Sequence, residues 1–141
     1  MKVCLGFAVF YMVLGLCLGV FAREYTKRKG LDPAEAKKTN LMDLHPHTLI
    51  LGMFMFLILS VFGYFSHSFA ADRALFVWFM IFYNIGVLGT VFMLFVRGMA
   101  QLSSKPPGKK ENAMISGCAG LIHIILSVGL ILLFCTLYHC L

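Results

Sequence analysis

The sequence predicts an all-α integral membrane protein, a four-helix bundle of antiparallel up-and-down spans. Three observations carry this. Of 141 residues, 60% are hydrophobic and 13% are charged, against roughly 45–50% and ~25% in a soluble domain. The apolar residues gather into four stretches, 3–22, 41–65, 74–96 and 114–138, each close to the ~20 residues that cross hydrocarbon about 30 Å thick. The segments between them are short and polar. The chain is therefore expected to be one membrane domain over 1–141, with no separate soluble enzyme.

The first stretch is too long for the ~7–15-residue apolar region of a secretory signal, so it is read as a span. Gly15-x-x-x-Gly19 within it lets a second helix approach closely or leaves a gap beside a flat ligand. Loop 1 carries six basic and three acidic residues. Within it Asp32-Pro33-Ala34-Glu35 has the signature of a helix start, and a short helix to Lys38 is expected. The second span is placed to begin near Asn40, a good cap, with Pro46 inside the helix and bending it. A start at Pro46 is the other option and would leave His45 and His47 at the membrane surface. From Asn40, His47 lies seven residues in, or about 10 Å deep.

The third span opens with Trp78 and Phe79, an aromatic belt, carries Asn84 at mid-depth and ends at Arg97. Asn84 needs a partner there, either another helix or a cofactor or water. The fourth is capped by Asn112 and holds His123, with Gly117 and Gly120 six and three residues before it. Those glycines are read as leaving little bulk beside the imidazole. His67 and His139 are read as interfacial. The five cysteines form no C-x-x-C and are read as small packing residues.

Ionisable groups at membrane depth are costly and mark sites. His47 and His123 lie in spans that run the same way, and loops 1 and 3 share one side of the membrane. Imidazole is a common axial ligand of heme iron. His47 and His123 are thus candidate axial ligands of a heme b, with His45 as a second-site or propionate-side candidate. Gly117, Gly120 and Asn84 are candidate cofactor contacts. Arg23 and Arg97 are candidate propionate partners, because a guanidinium pairs bidentately with a carboxylate. The alternative cofactor is zinc or copper held by His45, His47 and His123. Residues i and i+2 point ~200° apart on a helix, so His45 and His47 are not expected to face the same neighbour.

The stretch His47-Thr48-Leu49-Ile50-Leu51-Gly52-Met53-Phe54 resembles the helix that carries a low-spin heme ligand in subunit I of heme–copper oxidases and nitric oxide reductases. His45-x-His47 is similar to the histidine pairs of nitric-oxide-related membrane heme proteins. Over nearly its whole length the chain resembles a family of small four-helix bacterial membrane proteins of unknown function. That resemblance rests on Arg23-Glu24, His45-x-His47, Phe82-Tyr83-Asn84-Ile85-Gly86, Arg97-Gly98, and Ser116-Gly117 through Gly120 to His123. The chain has far fewer helices than an oxidase subunit and lacks the further histidines and the His–Tyr pair of a heme–copper centre. The resemblance therefore implies a bis-histidine heme b and not oxygen reduction by a single chain.

The expected function is electron transfer or redox or gas-ligand sensing by a heme b protein. The alternatives are a protein that binds a transition metal or small solute through the same histidines, and a cofactor-free accessory subunit. The expected partners are the lipid bilayer, further copies of the chain, and a redox partner or quinone. The net charge of +6 is read as topology-setting charge and lipid contact, not nucleic-acid binding. The expected location is the bacterial inner membrane. Ten basic residues in loops 1 and 3 against two on the other side put those loops in the cytoplasm by the positive-inside rule. The likeness to oxidase heme ligands puts them outside, and the orientation stays open.

Overall fold

The computed structural model describes residues 2–66, 72–104 and 107–139. His67 and Cys140 lie outside the described residues. Among the described residues five helices form the fold: α1 (Lys2–Arg28), α2 (Pro33–Ala36), α3 (Leu44–Phe65), α4 (Arg73–Gln101) and α5 (Lys109–Tyr138). All but α2 are long and apolar enough to cross a membrane. No strand occurs among the described residues. The all-α, four-span expectation stands, and the boundaries differ for local reasons.

Helix α1 continues past Ala22 to Arg28, because the charged residues that follow are good helix formers once the chain reaches water. It stops at Gly30, whose φ of 74° suits a residue without a Cβ. Gly30 N donates to Lys27 O and Leu31 N to Thr26 O, which closes the last turn as a Schellman motif. Helix α2 starts as predicted. Asp32 Oδ1 accepts from Glu35 N at 2.7 Å, and Glu35 Oε2 accepts from Asp32 N at 3.4 Å, a reciprocal cap. It ends at Ala36 rather than Lys38.

The start of α3 corrects the prediction. It begins at Leu44, not Asn40. Pro46 is thus the third helical residue, where a backbone N–H would have no partner within the helix anyway. It therefore breaks no helical bond. His47 is only three residues in, about 5 Å along the axis, and shallower than expected. Asn40 is occupied elsewhere. Its backbone N donates to Gln101 Oε1 at 2.9 Å, and Gln101 Nε2 donates to Asn40 Oδ1 at 2.8 Å. This clasp ties loop 1 to the end of α4. Helix α5 likewise starts earlier than Asn112, at Lys109, with Glu111 accepting from Gly108 N at 2.9 Å.

Residues Thr48–Phe54 of α3 form wide π-type turns, which the hydrophobic pattern did not reveal. Wider turns loosen the regular pairing of carbonyls. Here the Leu51 carbonyl accepts from the Tyr83 hydroxyl at 2.7 Å. Gly52 sits where any Cβ would overlap the Tyr11 ring, so α1 and α3 meet closely at this level. Tyr11 stacks on Phe56 with centroids 5.7 Å apart, and Phe56 stands edge-on to Tyr83. These rings fill the core between α1, α3 and α4.

Helix α5 packs on α4 through glycines. A Cβ at Gly86 would lie 2.6 Å from the Leu126 Cα, and one at Gly129 2.8 Å from the Tyr83 Cα. The two backbones touch along this seam, the close packing that small residues permit in membranes. Of the cysteines, Cys4 is buried in the core, as a packing residue should be. Cys17, Cys118 and Cys135 are exposed on the protomer surface, contrary to that reading.

Candidate functional site

The site is built from two flanks of α3. Leu44 is fully buried in a cluster with Ala22, Leu41 and Val91, so it faces inward between α1 and α4. One residue turns a helix by about 100°. His45 is thereby rotated toward α1, where its Nδ1 lies 2.9 Å from the Gly15 carbonyl oxygen. Its ring rests on Gly19, where an added Cβ would come within 3.0–3.1 Å of the imidazole. The small-residue motif of α1 therefore receives the histidine of a neighbouring helix. His47 is ~200° from His45, on the flank of α3 away from α1, and it is exposed on the protomer.

A second histidine stands on the same side of the molecule. Ile122 and Leu126 of α5 face Gly89 and Gly86 of α4. His123 is turned about 100° from Ile122 and is exposed. Ser116 lies seven residues before His123, within about 20° of it around the helix. Arg97 Nη2 donates to Ser116 Oγ at 3.0 Å. Arg97 adjoins Gly98, which packs on Leu41 at the foot of α3, so it stands between α3 and α5. Meanwhile α1 meets α4 on the Asn84 side, where the Tyr11 hydroxyl donates to Asn84 Oδ1 at 2.7 Å. Asn84 is ~200° from Gly86, so α1 and α5 lie on opposite sides of α4. On these helix rotations His47, Arg97, Ser116 and His123 would border one valley, with α4 as its floor and α3 and α5 as its walls.

Depth follows from the same contacts. Gly89 faces Ile122, which sets His123 level with about Leu88, and Gly98 faces Leu41, which sets His47 level with about Phe92. The difference is about four residues, or ~6 Å at 1.5 Å each.

The contacts of His45, His47 and His123 fit one tautomer of the neutral ring. A carbonyl oxygen only accepts, so each Nδ1 that touches one carries the proton. His47 Nδ1 donates to Asp43 O at 2.8 Å, and His123 Nδ1 donates to Ala119 O at 2.7 Å. Every Nε2 is left as the acceptor, the arrangement found where imidazole binds a metal through the other nitrogen.

A family model matches residues 1–140. The chain belongs to DUF2871, a family described as protein of unknown function. Neither the curated proteins nor the solved structures compared with this DUF2871 chain give a match. It is a multi-pass membrane protein of that family.

Among its described residues, no three of His, Cys, Asp and Glu gather as a metal centre. The three-nitrogen set of His45, His47 and His123 is not assembled within the protomer, because His45 looks toward α1. Arg23 is likewise separated from Arg97. It lines a groove of about 340 Å³ with His45 and Met42, on the other side of α3. Asn84 is engaged at both ends of its amide, with Oδ1 accepting from Tyr11 of α1 and Nδ2 donating to Met80 O of its own helix at 2.7 Å. Gly120 lies about 60° around α5 from His123, but Gly117 lies ~120° away and does not adjoin the imidazole. The space beside both glycines is open, since a Cβ at either would meet nothing within 4 Å.

Sequence reasoning missed Ser116 as the partner of Arg97 and Gly15 as the acceptor for His45. The seven-residue spacing of Ser116 and His123 would have found the first. Nothing in the residues of α1 alone marks the Gly15 carbonyl.

Proposed function

We propose that this protein is a b-type cytochrome of the bacterial inner membrane, with heme b between His47 and His123. The observation that carries the reading is the matched pair of imidazoles. On the rotations above both are turned toward the valley over α4, about 6 Å apart in depth, with Nδ1–H held by a backbone carbonyl and Nε2 left for a ligand. A carbonyl that accepts from Nδ1–H fixes the ring orientation and makes Nε2 a better ligand. Arg97, at the polar end of the valley, would exchange Ser116 for a propionate carboxylate, a stronger, charge-assisted partner. The open space beside Gly120 leaves room for a porphyrin edge. Two histidines presented to hydrocarbon are costly, and a ligand lying in the valley would cover both. The group, when bound, supplies one-electron chemistry. The likeness of His47–Phe54 to oxidase heme helices points the same way.

The test is the absorption spectrum of protein purified from heme-replete cells. A sharp Soret band, with α and β bands on reduction, is expected. His47→Ala and His123→Ala should each abolish the low-spin spectrum. Colourless wild-type protein would end the reading.

A further inference from the structure

The groove on the α1 side of α3 is not used by the heme reading. We infer that it binds the headgroup of a membrane quinol, with His45 accepting a hydrogen bond from a ring hydroxyl and Arg23 donating to a ring oxygen. Its volume of about 340 Å³ is within the ~300–1,000 Å³ of small-ligand sites. Leu16, Val20 and Met42 supply apolar walls, and Leu16 and Val20 are exposed toward lipid. A ligand could therefore enter sideways and keep its tail in the bilayer.

The polar groups select the headgroup. His45 Nδ1 is committed to the Gly15 carbonyl, so Nε2 offers a lone pair and asks for a donor. Arg23 is a donor only and asks for an acceptor. The phosphodiester of a lipid headgroup has acceptors alone and would meet the Nε2 lone pair unfavourably. A quinol has a hydroxyl that donates, a second oxygen that accepts, and a flat apolar ring to lie between Leu16, Val20 and Met42.

The purpose of this site rests on the proposed electron transfer. His45 and His47 stand on opposite sides of α3, so the groove and the valley are separated by about one helix diameter, ~10–12 Å. The binding itself does not require heme.

The full-length protein in detergent is titrated anaerobically with a short-tailed alkyl benzoquinol, its oxidised quinone, and a short-chain phosphatidylglycerol. Saturable quinol binding is expected, with the quinone weaker because it lacks the donor for His45. His45→Gln and Arg23→Gln should each weaken quinol binding about tenfold. Arg23 is exposed, so its variant keeps the test valid where loss of the His45–Gly15 contact harms folding. The inference is overturned if wild type does not bind, if quinol and quinone bind alike, if the phospholipid displaces the quinol, or if Arg23→Gln binds as wild type does. Colourless protein that binds quinol would remove the heme reading and leave the groove. Red protein that does not bind would remove the groove alone.

Discussion

His45 and His47 are two residues apart on one helix, yet their surroundings are opposite. The ring of His45 is received by Gly15 and Gly19 of α1. The ring of His47 is held at the Asp43 carbonyl, one turn back in its own sequence, and is exposed on the flank of α3 away from α1. The difference comes from helix geometry and from which neighbour has room. A step of two residues forces the rings apart by ~200°, and the glycines of α1 can admit only one of them. An imidazole sequestered between helices is available to a ligand only at Nε2, from a narrow groove. An imidazole on the outer wall is open to a large planar group.

The sharpest way to break that contrast is to remove each ring in turn. His47→Ala and His123→Ala are expected to abolish heme absorbance in the purified protein. His45→Ala should retain it, with band positions little changed. A spectrum lost in His45→Ala and kept in His47→Ala would reverse the assignment of the two flanks.

The two arginines extend the contrast. Arg97→Gln should lower heme retention about tenfold, the scale on which removal of a supporting partner weakens a metal site. Arg23→Gln should leave it unchanged, because Arg23 borders the groove with His45. Competition with apomyoglobin as a heme acceptor measures both. Equal effects would place both arginines against one cofactor.

The residues themselves showed much of this arrangement. Four apolar runs are each as long as a bilayer is thick, so the span count follows from length alone. The opposed directions of His45 and His47 follow from helical periodicity, and the capping box at Asp32 from its own four residues. The start of α3 did not follow, because Asn40 had two available roles. Capping a helix and pairing with Gln101 are equally good uses of its amide, and only the neighbouring end of α4 decides. The π-type turns at Thr48–Phe54 were hidden for the same reason. They coincide with Tyr11 packed on Gly52 and with Tyr83 donating to the Leu51 carbonyl, contacts that come from other helices. Arg23 and Arg97 looked equivalent because both mark the same end of a span. Which wall of the bundle each one borders depends on helix rotation, and the hydrophobic pattern of nearly uniform membrane helices says little about that.

The seams behind the two flanks differ in hardness. At Gly86 an added methyl group would meet the Leu126 backbone at 2.6 Å, while at Gly19 it would meet the His45 side chain at 3.0 Å. Backbone cannot step aside as a side chain can. Gly86→Ala is therefore expected to destabilise by about 1–3 kcal/mol, the range for overpacking, and to lower heme content by displacing α5. Gly19→Ala should cost less and should act on quinol binding rather than heme. Unfolding in a denaturing detergent, monitored by circular dichroism, ranks the two. A costlier Gly19→Ala would show that the His45 ring is held more rigidly than the α4–α5 seam.

The smallest effect belongs to the polar contact that separates the flanks. The Tyr11 hydroxyl donates to Asn84 Oδ1 across the α1–α4 interface. Hydrogen bonds between membrane helices average about 0.6 kcal/mol, because the separated helices find other partners in the bilayer. Tyr11→Phe, Asn84→Ala and the double variant should yield a coupling energy of about that size, with the heme spectrum preserved in all three. A change in the spectrum with Asn84→Ala alone would mean that Asn84 serves the cofactor as well as Tyr11. The valley would then reach around α4 to the side now facing α1, and the division of the molecule into two independent flanks would not hold.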